Sequence, residues 1–333
     1  MLNISASPHV RHQDSTPSVM RDVALALLPA ALASAYFFGV GSWLVIMVSI
    51  ASCILFEALS QFLMKRPQTF RDWSAVVTGL LLAFNLPADI PLWMPVVGAF
   101  FAIVVIKQAF GGLGKNFLNP ALGARVIMAI AFPVQMNSHV IKESFAGKSF
   151  LSSLDLMSQA TPLAAVRMAN DPDAISSATQ VVTYDYTQLF LGFKPGMLGE
   201  VCILALAIGA IYLLSRKVID LYIPLTYIAT TLIFVTLAGE DPLYHLLSGG
   251  LFLGAFFMAT DYVTNPASRM GHIIFGIGCG LLTGLMRIYG ASPEGVSFSI
   301  LLMNILTPHI DQLTVFRPRR RKARLNLVPA ERK

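Results

Sequence analysis

Three groups of residues in this chain have the types and spacing to do chemistry. The first is Ser158-Gln-Ala-Thr-Pro-Leu163, which brings two hydroxyls together in a long polar loop. Pro162 biases Thr161 toward an extended backbone that presents its hydroxyl, although a Thr before Pro in a loop is by itself only a turn residue. The second is Phe110-Gly-Gly-Leu-Gly-Lys-Asn-Phe-Leu-Asn-Pro-Ala121. Its glycines let the backbone approach a flat ligand. Asn116 and Asn119, three apart, can set two amides on one side of a turn. Amides donate and accept, which suits the N–C=O edge of an uncharged heterocycle such as an isoalloxazine. No strand precedes the glycines, so they are not a dinucleotide fingerprint; the plainer reading is a re-entrant turn with an Asn cap and Pro120 opening the next helix. The third group is the set of charges inside apolar runs: Glu57, Lys107, Arg125, Asp261 and Arg287. Ionisable groups at membrane depth are functional candidates. Glu57 and Asp261 are candidates for an ion path, with pairing of Glu57 to Arg125 and helix-end capping by Asp261 as the structural alternatives. Lys107 and Arg287, near the ends of their runs, are expected to snorkel toward the interface.

Membrane helices must position these groups. The chain has 333 residues, 55% hydrophobic and 13% charged, against about 25% charged in an ordinary soluble domain. Runs long enough to span a bilayer lie at 22–40, 42–64, 72–87, 91–110, 119–134, 196–215, 218–238, 242–260, 270–288 and 295–312. The third, fifth and ninth are short or rich in small residues, as packed or broken helices are. The fold class is therefore an all-α polytopic membrane protein of about ten helices. The motif Leu86-Pro-Ala-Asp-Ile-Pro-Leu-Trp93 resembles Leu237-Ala-Gly-Glu-Asp-Pro-Leu-Tyr244, and Asn119-Pro-Ala121 recurs as Asn265-Pro-Ala267. The two recurrences keep their order and nearly their spacing. Five spans per half implies two inverted repeats. The expected divisions are 1–134 (tail and first repeat), 135–195 (an outer loop), 196–316 (second repeat) and 317–333 (a basic tail).

Arg11, Arg21, Lys65, Arg66, Arg71, Lys115, Arg216, Lys217, Arg269 and the 317–324 cluster fall on alternate loops. The positive-inside rule puts both termini in the cytoplasm and 135–195, with Thr161, outside. Residues 1–21 have no apolar core that reads as a cleavable signal peptide. The net charge of +6 is concentrated after the last span, where it reads as an anchor at anionic lipid heads and not as a nucleic-acid surface. Cys53, Cys202 and Cys279 lie in spans without Cys-x-x-Cys spacing, and the six histidines show no metal pattern. Any electrons this chain carries need an organic cofactor or a partner to hold them.

Taken together, Ser7-Pro-His9, Val77-Thr-Gly-Leu80, Leu86-Pro87, Gly111-Gly-Leu-Gly, Asn119-Pro-Ala, Ser158-x-Ala-Thr-Pro-Leu163 and Met258-Ala-Thr-Asp-Tyr262 with Asn265-Pro266 resemble the D subunit of Rnf-type ion-translocating oxidoreductases and its counterpart, the B subunit of the sodium-pumping quinone reductase. Gln159 departs from the Gly typical of the latter. The resemblance implies a bacterial inner-membrane electron-transfer subunit of a ferredoxin:NAD oxidoreductase complex, not catalytic alone, coupling electron flow to Na⁺ or H⁺ movement. It implies FMN held by a phosphoester to Thr161, with Ser158, Ala160, Pro162 and Leu163 around it. It also implies a second, noncovalent riboflavin near Gly79, Asn116 and Asn119. The implied partners are the A, B, C, E and G subunits, the lipid bilayer and a flavin transferase. The competing expectation is a flavin-free ten-helix inverted-repeat transporter or channel.

Overall fold

Helix α1 (Thr16–Phe38) starts at Ser15 in extended backbone, with proline in its first turn. It turns Ala24, Leu27, Ala31 and Ala35 inward and Leu25, Leu28 and Leu32 outward, the last 60% exposed. Small residues inside and large apolar ones outside reverse the pattern of a water-soluble helix, and fit a helix in lipid that packs by close backbone approach. Gly39, with φ 80°, ends α1, and α2 (Val40–Leu63) begins at once. The computed structural model describes residues 15–138, 140–142, 156–158, 161–170, 184–290 and 294–325.

After α2 come α3 (Ser74–Phe84), α4 (Trp93–Phe100) continuing as a π-helix over Phe101–Gln108, α5 (Pro120–Ala131) and the single turn α6 (Pro133–Met136). A two-stranded antiparallel ribbon follows, β1 (Val140–Lys142) with β2 (Leu156–Ser158), Val140 opposite Ser158. Then come α7 (Pro162–Asn170), α8 (Tyr186–Leu191), α9 (Ile203–Ser215), α10 (Tyr222–Leu237), α11 (Pro242–Leu247), α12 (Leu251–Leu253) continuing as a π-helix over Gly254–Met258, α13 (Arg269–Tyr289) and α14 (Val296–Leu325). By length and apolar composition α1, α2 and α13 suffice to cross a membrane; α3, α4 with its π extension, α5, α9 and α10 are shorter apolar helices.

Close approach holds the bundle together. Gly276, Gly280 and Gly284 line one face of α13, where added Cβ atoms would meet Thr226, Thr230 and Phe234 of α10 at 3.0 Å or less. A Cβ on Gly209 of α9 would fall 2.0 Å from the Ala26 carbonyl oxygen of α1. Asp22 of α1 ties the same pair of helices, 3.2 Å from Arg216 and accepting from Tyr212 at 3.1 Å. Both halves carry a π-helix just before an Asn-Pro-Ala loop, in keeping with the recurrence read from the sequence.

Two expectations about the spans change. The ninth, expected to be short or broken, is the regular α13 over 21 residues. The break falls in the eighth run, 242–260, which splits into α11 and α12 around Ser248, Gly249 (φ 65°) and Gly250. Within 135–195, expected as a loop, the described residues include the ribbon and helices α7 and α8. The N-terminal motif Ser7-Pro-His9 and the end of the basic tail lie outside the described residues.

Candidate cofactor sites

The Gly/Asn loop and its recurrence meet at one pocket. Asn116, Asn119, Lys107 and Asp261 line it together with Thr78 and Phe257, around about 730 Å³ of empty space that includes open solvent. Asn119 is occupied: its side-chain oxygen accepts from Ala121 N and Leu122 N, capping α5, and its amide nitrogen donates to the Met258 carbonyl at 3.4 Å. Asn119 thus stitches one half of the chain to the other. Asn116 is different. Its amide nitrogen donates to the Leu118 carbonyl at 3.0 Å, while its buried Oδ1 has no partner. A buried acceptor left unpaired costs about 1–3 kcal/mol, so a ligand N–H here would relieve a standing penalty. Asp261 closes a tight turn, accepting from Thr264 Oγ1 at 3.4 Å and Val263 N at 3.5 Å. Gly79 is not among the lining residues: it packs on α2, where an added Cβ would stand 2.7 Å from Ile50 Cα.

The buried charges pair differently from expectation. Glu57 does not reach Arg125. It lies 2.9 Å from Lys107 Nζ, accepts from Gln108 Nε2 at 3.0 Å, and shares Lys107 with Ser74 Oγ at 2.6 Å. Lys107 does not snorkel; it is 1% exposed. The π turns of Phe101–Gln108 carry both Lys107 and Gln108 on the buried side. Arg125 instead binds Glu294 at 2.8 Å and donates to Ser297. Arg287, also expected to snorkel, is 3% exposed and donates to the carbonyls of His245 and Ser248.

Thr161 immediately precedes α7, at its N-terminal cap position. Its carbonyl accepts from Ala165 N at 2.8 Å and its Oγ1 accepts from Ala164 N at 3.3 Å. It is 6% exposed, so the accessible hydroxyl expected from Pro162 is absent in this arrangement. Helix packing is the reason. Leu163 seats against Gly249 in the break between α11 and α12, where an added Cβ would lie 2.8 Å from Leu163 Cδ1, and Arg167 donates to the Gly290 carbonyl at the end of α13. The first turn of a helix offers unpaired N–H groups and the positive end of its dipole, which favour a phosphate. An ester at Thr161 Oγ1 would put its phosphate there, so the residues present fit an anionic phosphoester. Ser158 ends strand β2, and Ala160 lies outside the described residues.

Sequence reading overlooked Lys194, Glu200 and Glu294. Lys194 is 2% exposed and donates to the Leu247 carbonyl, beside the carbonyls that hold Arg287. Glu200 is 4% exposed, its Oε1 standing 2.9 Å from the place a Cβ on Gly250 would occupy. The available signal was the pair Lys194 and Glu200, either side of Pro195-Gly-Met-Leu-Gly199 at the start of an apolar run. The end of a helix exposes carbonyls with partial negative charge, so the break in the eighth run supplies the acceptors these cations need.

Residues 3–320 match the model of the NQR2, RnfD, RnfE family. Over 315 residues the chain is 45% identical to the D subunit of the Na(+)-translocating ferredoxin:NAD(+) oxidoreductase complex of Acetobacterium woodii, covering 94% of this chain and 93% of that one. Over 321 residues it is 39% identical to the D subunit of the proton-translocating ferredoxin:NAD(+) oxidoreductase complex of Clostridium ljungdahlii, covering 94% and 95%. The D subunit of the ion-translocating oxidoreductase complex of Escherichia coli is 36% identical over 351 residues, covering 96% and 98%.

Proposed function

Because this chain belongs to the NQR2, RnfD, RnfE family, we propose that it works as the membrane-embedded D subunit of a bacterial ion-translocating ferredoxin:NAD oxidoreductase, with FMN esterified to Thr161 and riboflavin at the Asn116 pocket. The observation that carries the reading is the position of Thr161: a hydroxyl at the N-terminal cap of α7, in a Ser-x-Ala-Thr-Pro-Leu motif, seated over a break that holds two buried cations. Bound flavins would supply one- and two-electron carriage.

The chain's own residues do the rest. Ala164 N, which donates to Thr161 Oγ1, would lie beside a phosphate on Thr161 at the positive end of α7. Leu163 on Gly249 and Arg167 on the end of α13 fix α7 to the bundle and keep water from the attachment point. At the other pocket Asn116 Oδ1, which has no partner, would accept from a ring N–H, and Thr78 and Phe257 would supply the wall. Asn119 holds that wall together and is a positioning residue.

Basic loops support cytoplasmic termini and an outer Thr161 in a ten-helix inverted repeat. The two carriers then lie toward opposite faces of a core about 30 Å thick. Moving one charge across it against 100 mV costs about 2.3 kcal/mol, which links electron flow to ion movement. Relatives named for Na⁺ and for protons are both similar to this chain, so identity does not choose the ion. The A, B, C, E and G subunits and a flavin transferase complete the system. Trypsin cuts after Lys148 and Arg167; peptide 149–167 from membranes should carry the mass of FMN less water, localised to Thr161. An unmodified peptide from cells that contain the transferase would contradict the attachment.

A further inference from the structure

Behind the attachment segment, one carboxylate stands apart from the other buried acids among the described residues. Glu200 makes no side-chain hydrogen bond among the described residues, although it is 4% exposed. The charged groups facing it are Lys194, Arg287, Arg125 and Glu294. All four are committed in direct contacts: Lys194 to the Leu247 carbonyl, Arg287 to those of His245 and Ser248, and Arg125 and Glu294 to each other. A crevice of about 340 Å³ of empty space that includes open solvent is lined by the Arg125–Glu294 pair, which faces Glu200, with Met136, Asn137 and Met197. The Met197 carbonyl accepts the Glu200 backbone N–H at 3.1 Å, so the crevice wall and Glu200 belong to one turn.

We propose that Glu200 is a proton-exchanging site, filled from this crevice and responsive to negative charge at Thr161. The step is one proton transfer: a hydronium in the crevice gives its proton to the carboxylate, leaving water and a neutral carboxylic acid. A metal cation is the poorer occupant, because the carbonyls that would ligate it already bind Lys194 and Arg287. Sensitivity to position 161 follows from the packing. Leu163 touches Gly249, and Glu200 touches the next residue, Gly250. At an effective dielectric near 20, a unit charge about 10 Å away changes proton affinity roughly tenfold. Coupling to flavin reduction rests on the attachment proposed above; the proton site itself does not.

The test uses the full-length chain with Thr161→Val, which carries no ester, labelled with carboxyl-¹³C glutamate. Acid–base infrared difference spectra should contain a labelled carboxylic-acid band that Glu200→Gln removes. In Thr161→Glu the midpoint of that band should rise by about one pH unit. A Glu200→Asp variant, closer in shape, should lose the labelled band and gain an unlabelled one, covering the case in which Glu200→Gln fails to fold. Absence of a Glu200-dependent band overturns the site. An unmoved midpoint in Thr161→Glu overturns the coupling. A band that responds to Na⁺ at constant pH makes this a metal-cation site and overturns the proton assignment. Neither variant at 161 can carry the ester, so these outcomes are separate from success or failure of the attachment itself.

Discussion

Glu57 and Lys107 face each other at 2.9 Å, each 1% exposed, on helices that come together only in the folded bundle. Removing one partner strands the other charge, which costs about 3–5 kcal/mol, whereas removing both leaves nothing unpaired. Lys107→Met should therefore lower the detergent melting temperature sharply, and Lys107→Met with Glu57→Gln should recover much of the loss. A double variant no better than the single would mean that Glu57 is not held by Lys107.

The two asparagines of the Gly-rich loop should behave differently. Asn119→Leu removes a helix cap worth about 1 kcal/mol and the bond to Met258, so the melting temperature should fall. Asn116→Leu replaces a side chain whose Oδ1 has no partner. It should leave stability nearly unchanged and remove acid-extractable riboflavin, while covalent FMN remains. Full retention of extractable flavin in Asn116→Leu would exclude Asn116 from that site.

Burial of Thr161 sets an order of events. An enzyme that esterifies Thr161 would reach the hydroxyl only before α7 docks or when it lifts away. Leu163→Ala withdraws the contact with Gly249, a truncation that costs up to about 2–5 kcal/mol at a fully packed site. Labelling of purified Leu163→Ala by transferase should be faster than labelling of the parent chain; equal rates would show that docking does not limit access.

Asp241 accepts from the Tyr186 hydroxyl and caps α11 through Leu243 N at 2.9 Å. The tyrosine bond, then the backbone N–H groups, outweigh burial and hold this carboxyl below its ordinary range, while the same contact pushes the Tyr186 phenol up. The depressed carboxyl contributes stability that is present above its unfolded value, about 3.9, and is lost as pH falls through the lower folded one. The raised phenol contributes below about 10 and loses it as pH rises through the higher folded value. Proteolysis within 184–191 should therefore be slowest at intermediate pH, and Tyr186→Phe should flatten both flanks. An unchanged pH profile in Tyr186→Phe would dismiss this contact as a clamp on α8.

Helix positions were largely legible because most apolar runs contain one main helix, and caps such as Asn119 with Pro120 mark where α5 starts. The break at Gly249 was not, because 242–260 stays apolar across it and only two adjacent glycines hint at a bend. Charge pairing was not legible either. Glu57 is fifty residues from Lys107, and the choice between Lys107 and Arg125 is made by how α2 meets the π turns after α4. The motif singled out Thr161, but its place as a buried helix cap depends on α7 packing against the distant Gly249 and Gly290.

Fluorescence of the denatured chain distinguishes a flavin esterified to Thr161 from every noncovalent alternative. Membranes from cells containing the flavin transferase, run on a denaturing gel, should show a fluorescent band at the size of this chain. Thr161→Ala should lose that band at unchanged protein level. A fluorescent Thr161→Ala band as bright as the parent's, or a dark parent band with the transferase present, would contradict the account.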